Sequence, residues 1–208
     1  MFLFPAATLA PRGVSAVHLP AAMPDDAALL HRAHSGDPEA FRALVVRYER
    51  LVGHVVARVV ADPADREDVA QETFLRVHEG LAGFRGEASL ATWIARIAYH
   101  TALRHARTRR PTPTGVGAPE GAAEPAGTDD AGAQTEADAR DRVLRAAIDA
   151  LPPAHRVALT LFHLDGFSHA ETARVLGLPL GTLKNTLFRA RQRLKDLLLA
   201  SAPADDWR

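Results

Sequence analysis

Between Lys184 and Lys195 the chain carries five basic residues and no acidic one. At helical spacing they sort by face. Leu183, Leu187, Ala190, Leu194 and Leu197 recur at three- and four-residue steps, the stripe a helix turns toward a core. Lys184, Asn185, Phe188, Arg189 and Gln192 fall on another face that mixes cations, amides and one aromatic. Cations at such a face contact phosphates and guanine edges, and an asparagine can read adenine. The plainer alternative is a solvated basic face near a helix C-terminus, which the helix dipole also favours. The preceding residues favour DNA. Ser168 and Glu171 stand at capping-box spacing, Gly177-Leu178-Pro179 breaks the short helix they open, and a new helix restarts. That is helix-turn-helix spacing, with the second helix placed to enter a major groove.

A second basic stretch has a different character. Arg96 to Arg110 holds five arginines, two histidines and no acid, with Trp93 and Tyr99 nearby and Phe84 just upstream. Cations interleaved with aromatics suit single-stranded nucleic acid, because bases stack on rings while cations hold phosphates. For Trp93 alone, a core position is the simpler expectation. The preceding segment is acidic, with Asp65, Glu67, Asp68, Glu72 and Glu79 against Arg66 and Arg76. An acidic, Phe-bearing helix beside a basic one suggests a protein partner on one side and nucleic acid on the other.

The elements that must position these residues are helical throughout. Phe41, Leu44, Val45, Tyr48, Leu51, Val52, Val55 and Val59 form one apolar stripe, which Asp62-Pro63 ends. The next helix carries Val69, Phe74, Leu75 and Val77 and runs to about Gly80. A short loop follows, and Ser89 is the expected N-cap of a long helix beyond it. Residues 111–135 are rich in Pro, Gly, Ala and Thr and read as a flexible linker. Helical pattern resumes near Ala137 in four segments. The expectation is an all-α chain. A disordered N-terminal extension (1–24) precedes a first helical domain (25–110), and an acidic linker (111–136), a second helical domain (137–200) and a short tail (201–208) follow.

Composition narrows the function. The 208 residues carry 25 Lys+Arg against 25 Asp+Glu, so the neutral total hides a segregated map. From Thr112 to Asp141 stand seven acidic residues and one basic, part of the compensating negative charge. There is no cysteine, which excludes disulfides and thiolate metal sites and fits a reducing cytoplasm. No apolar run is long enough to span a membrane. The first residues resemble a secretion signal only superficially, since they lack a basic start and Pro5 and Pro11 break the apolar stretch. Met23, just before the regular pattern, is an alternative start. The ten histidines raise the thought of a metal enzyme, but His31/His34 and His100/His105 make no complete site and no HExxH signature occurs. Neither a cofactor, a metal nor catalysis is expected.

The segments "EDVAQETFLRV", "FRGEASLATWI" and "GLPLGTLKN…RARQRL", in one chain and in this order, resemble the second and fourth conserved regions of extracytoplasmic-function sigma factors. The resemblance implies a dissociable promoter-specificity subunit of bacterial RNA polymerase, held on the polymerase clamp helices and flap and often restrained by an anti-sigma protein. It implies that Asp68, Gln71, Glu72, Phe74 and Leu75 dock on the polymerase. It implies that Phe84, Arg85, Trp93, Arg96, His100 and Arg104 open and read the minus-ten element. Lys184, Asn185, Thr186, Phe188, Arg189, Arg191 and Arg193 match the helix that reads the minus-thirty-five element. Three positions depart from the family pattern: His100 where asparagine is usual, Thr186 where arginine is common, and Arg104 where an acidic residue is common. A rival reading, a polymerase-independent helix-turn-helix regulator, would call for a ligand or phosphorylation domain at the N-terminus. A linker of 25 residues has a root-mean-square span of about 25–30 Å as a coil and about 80 Å extended. Two DNA turns measure about 70 Å. It therefore bridges two promoter elements only when pulled out.

Overall fold

The computed structural model describes residues 25–109 and 136–201. The expected N-terminal extension (1–24), nearly all of the acidic linker and the end of the tail (202–208) lie outside the described residues. Among the described residues all regular structure is helical, as the sequence pattern requires.

The first domain comprises α1 (Asp26–His34), α2 (Pro38–Ala57), α3 (Pro63–Gly80) and α4 (Leu90–Thr108), with a 3₁₀ turn over Leu81–Gly83. The apolar stripe that begins at Phe41 lies on α2, and a break separates it from α1. Gly36 turns the chain at φ +82°, and Asp37 caps the new helix by accepting from the backbone N–H groups of Glu39 and Ala40. Pro38 then occupies the first turn, where its missing N–H costs nothing. Asp62-Pro63 repeats the device at α3, with the Asp62 carboxylate accepting from Ala64 N–H. Ser89 caps α4 as expected, accepting from Thr92 N–H at 3.2 Å.

Leu29, Leu44, Val52, Val55, Val69, Val77 and Ile94 are almost wholly buried between these helices. Each such side chain contributes about 1.5–3 kcal/mol by leaving water. Asp26 pins α1 to α2 by accepting from Arg47 and Tyr48, each at 2.5 Å. At the far end Asp65, only 8% exposed, accepts from Arg109 and sits 3.2 Å from His105, tying the start of α3 to the end of α4.

The second domain comprises α5 (Glu136–Asp149), α6 (Pro153–His163), α7 (His169–Leu176) and α8 (Leu180–Ser201). Ser168 and Glu171 close the capping box expected from their spacing. Gly177 ends α7 at φ +66°, the left-handed conformation glycine adopts without strain. Leu183, Leu187 and Ala190 are buried, and Leu194 and Leu197 pack against the same core. α8 is therefore oriented by its apolar stripe, which fixes what its other face presents.

Candidate nucleic-acid interface

The face of α8 opposite its core stripe is open. Lys184, Asn185, Arg189 and Gln192 are exposed, and the Phe188 ring stands 59% exposed among them. An aromatic held in water beside cations has no packing role inside this chain. α7 packs across the start of α8, giving the two-helix unit expected from the turn. Thr186 is half-buried and donates its hydroxyl back to the Thr182 carbonyl at 2.9 Å, so it is satisfied within the helix. Arg191 turns toward α6, with Nε 3.4 Å from His163 Nε2 and its guanidinium 5.7 Å from the Phe162 ring centre.

Positive charge on α8 reaches into α6. Burial, then Arg193 and Arg189, lower the proton affinity of His155 below its ordinary value of 6.5. Burial and Arg191 do the same at His163. Both rings are therefore neutral at pH 7. The unfolded chain takes up these protons at the ordinary value, so this stability is complete above it and is lost as pH falls through the lower folded values. We expect the melting temperature to fall on acidification from pH 7.5 to 5.5. His155→Gln should flatten that slope in a melting series, and an unchanged slope would refute the assignment.

On the first domain, α4 and the loop before it build two adjoining clefts that share Trp93 and Arg96. One, of about 400 Å³, is lined by Arg76, Trp93, Arg96, Ile97, His100, Thr101 and Arg104. The other, of about 340 Å³, adds Phe84, Arg85, Glu87 and Thr92. The rings of Phe84 and Trp93 lie 5.2 Å apart and tilted by 52°. Trp93 is half-buried rather than fully in the core, so part of its indole faces the clefts. It lies close against the end of α3 because residue 80 is glycine: a Cβ there would come within 3.1 Å of the ring. Burial, with Arg96 and Arg107, keeps His100 below its usual protonation range, so this ring is a neutral donor and acceptor. Open concavities with rings on the wall and guanidinium groups at the rim fit unstacked bases on a charged backbone.

The outer face of α3 is of another kind. Leu75 is 65% exposed, and Asp68 and Gln71 are exposed beside it. Phe74, expected on this surface, is instead 8% exposed in the core. Successive residues on a helix point about 100° apart, and here Phe74 turns inward while Leu75 takes the outward position. Glu72 is half-buried, and its Oε1 accepts from Arg76 at 3.1 Å and from Arg104. Arg104, the basic residue at a family-acidic position, is thereby paired with a carboxylate. Among the described residues no group of three or more His, Asp or Glu side chains could hold a metal ion.

These surfaces coincide with two family models. Residues 44–112 match sigma-70 region 2, and residues 141–194 match sigma-70 region 4. Over 177 residues the chain is 37% identical to the ECF RNA polymerase sigma-E factors of Salmonella typhimurium and Escherichia coli K12, covering 81% of this chain and 92% of theirs. The chain belongs to the extracytoplasmic-function sigma factors.

It is similar at 35% identity over 182 residues to the RNA polymerase sigma-H factor of Pseudomonas aeruginosa, covering 83% of this chain and 93% of that one. Among solved structures it resembles CnrH in complex with the cytosolic domain of CnrY, with a TM-score of 0.63 and 25% identity over 85% of this chain and 99% of that one. It shares its fold with the sigma factor RpoE bound to the anti-sigma factor NepR from Bartonella quintana, with a TM-score of 0.58 and 20% identity over 78% and 98% of the two chains. This sigma factor is thus a non-catalytic initiation subunit that directs RNA polymerase to promoters. No helix among its described residues is long and apolar enough to cross a membrane.

Family membership does not choose among side chains; geometry bears on that. The structure gathers Phe84, Arg85, Trp93, Arg96, His100 and Arg104 around the adjoining clefts, and Lys184, Asn185, Phe188 and Arg189 on one open face. It sets Phe74 and Arg191 aside from the surfaces they were expected to serve. Sequence reasoning missed Arg76, which leaves α3 to line the first cleft, and Arg174, which reaches the second from α7. Arg76 was legible as the partner of Glu72 four residues earlier. Arg174 had no signal along the chain.

Proposed function

We propose that the three surfaces divide the work of initiation. The outer face of α3, with Asp68, Gln71 and Leu75, docks on core polymerase. The clefts around Trp93 take bases of the minus-ten element from the opened strand, with Arg85, Arg96 and Arg104 on its phosphates and neutral His100 reading a base edge. The open face of α8 enters the major groove at the minus-thirty-five element through Lys184, Asn185, Phe188 and Arg189, with Arg193 at its margin. Segment 111–136 joins the two readers at the polymerase. An anti-sigma protein is the proposed regulator, and the cytoplasm, where polymerase and promoters are, the proposed site of action.

The observation that carries this reading is the separation of chemistries: an apolar side chain in water on α3, rings in a basic cleft on α4, and amide and cation groups on α8. Two weak readers tethered to one polymerase gain by effective concentration, so the free chain should bind promoter DNA weakly. Tight specific binding by the isolated chain in a salt-titrated gel shift would contradict this.

The docking face has its own test. Leu75→Glu should leave helicity and melting unchanged, because the side chain is already in water. It should weaken core polymerase binding at least about tenfold, the loss typical of a buried interface anchor. Core affinity is read by fluorescence anisotropy of a labelled chain, and unchanged affinity would remove α3 from the interface.

A further inference from the structure

α3 carries two kinds of surface. Asp68, Gln71 and Leu75 point outward, while Glu72 and Arg76 turn toward α4. Glu72 and Arg76 stand four residues apart with the acid first, the order that favours an ion pair on a helix. Glu72 Oε1 accepts from Arg76 at 3.1 Å. The same oxygen accepts from Arg104, which reaches it from α4. One carboxylate oxygen therefore holds two guanidinium groups from two helices. Among the described residues Glu72 is the one acceptor that either group meets. A guanidinium carries five N–H donors, so most of theirs are left for a ligand.

Both arginines line the first cleft, together with Trp93, Arg96 and His100, and Glu72 is not in the lining. Arg96, His100 and Arg104 stand at four-residue steps along one face of α4. Arg96 lies two turns before Arg104, about 12 Å along the axis, too far to share a phosphate with it. Arg76 and Arg104 are near enough, since both already reach one oxygen atom. With Glu72 they carry a net single positive charge, which suits a phosphodiester.

We propose that Arg76 and Arg104 form a two-armed clamp for one phosphate of the opened strand, and that Glu72 is the positioning residue that holds the arms together. That role rests on the cleft being the minus-ten reader proposed above. It takes Glu72 away from the polymerase face, where the family resemblance puts it. It also gives a task to the basic residue at a family-acidic position. An acid at 104 would face Glu72 as a like charge and repel the strand, whereas arginine turns the same place into an anion site.

Glu72 acts on phosphate binding in two opposed ways. Its charge weakens the attraction, but the three side chains are 38–52% exposed and water and salt screen that effect. Its hold on the arginines strengthens binding, because two side chains already in place need not be immobilised when the strand arrives. The second effect is the larger.

Substitution separates the two. Glu72→Gln keeps an acceptor oxygen between the arginines and removes the charge, while Glu72→Ala removes both. In holoenzyme on one of its own promoters, Glu72→Ala should lower opening about fivefold and Glu72→Gln less than twofold. Both should bind core polymerase within twofold of wild type. Methylphosphonate linkages, placed one at a time across the opened minus-ten strand, locate the phosphate. One linkage should cost wild type about fivefold in opening, and the same linkage should cost Glu72→Ala less than twofold. In the free full-length protein, magnetic relaxation of the arginine Nε–Hε groups should show Arg76 and Arg104 gaining mobility in Glu72→Ala. Full opening by Glu72→Ala, equal losses for the alanine and glutamine variants, an unchanged linkage pattern or unchanged arginine mobility overturns the clamp. A loss of core affinity also overturns it, by returning Glu72 to the polymerase face. If Trp93→Ala opens the promoter as well as wild type, the reading of the cleft fails and the clamp falls with it. If Trp93→Ala opens poorly and Glu72→Ala opens fully, that reading stands and the clamp alone fails.

Discussion

Trp93→Ala is expected to lower open-complex formation by the holoenzyme about 10- to 100-fold, because one base–aromatic stack is worth about 1–3 kcal/mol. The ring is suited to that role because it is half-buried: its inner edge packs against the end of α3 and Phe84, which fixes its orientation, and its outer part faces the clefts. A base leaving the duplex costs a few kcal/mol in lost stacking and pairing, and a ring already in place offsets this without ordering anything further. Trp93→Phe should retain most of the opening. The two variants separate stacking from folding, since an alanine that merely unfolded the domain would also abolish core binding. Permanganate reactivity of unpaired thymines in the promoter measures the effect. Equal reactivity in wild type and alanine variant, at saturating holoenzyme, would remove Trp93 from the minus-ten reader.

The second large effect is expected on α8. Asn185→Ala with Arg189→Ala should weaken duplex binding at the minus-thirty-five element about 100-fold, because each well-placed base contact discriminates by about 1–3 kcal/mol. Both side chains are exposed and neither is part of the stripe of Leu183, Leu187 and Ala190, so melting should be unaffected. Lys184→Ala should behave differently. Taking one cation away from the phosphates weakens binding to all sequences alike and lowers the salt slope by about 1. Binding of holoenzyme to promoter and scrambled duplexes across a salt series distinguishes these. A uniform loss for the double variant would make α8 an electrostatic clamp rather than a reader.

How much of this could be read from the chain depends on the distance over which each signal acts. The split of α8 into core stripe and open face was legible, because helical period alone sorts Leu183 from Lys184. So were the Ser168–Glu171 capping box and the Ser89 cap, which are interactions across three residues. The break at Gly36-Asp37-Pro38 was written in turn and cap residues, though helical pattern was read straight across it. Phe74 and Leu75 both looked outward as members of a matching motif. Only packing decides which of two adjacent residues is buried. Glu72 looked like part of an acidic face until Arg104, on the next helix, turned out to be its partner. Arg174 on the cleft wall and the His54–Asp165 pair were not legible at all, since they join segments on either side of a linker that carries no packing pattern.

The most direct measurement is single-round transcription by purified core polymerase on fragmented genomic DNA, with and without this sigma factor. The account predicts new, discrete start sites whose upstream sequences share two spaced elements, lost with Trp93→Ala and with the Asn185/Arg189 double variant. No gain in initiation, from core shown active with another sigma factor, would contradict it.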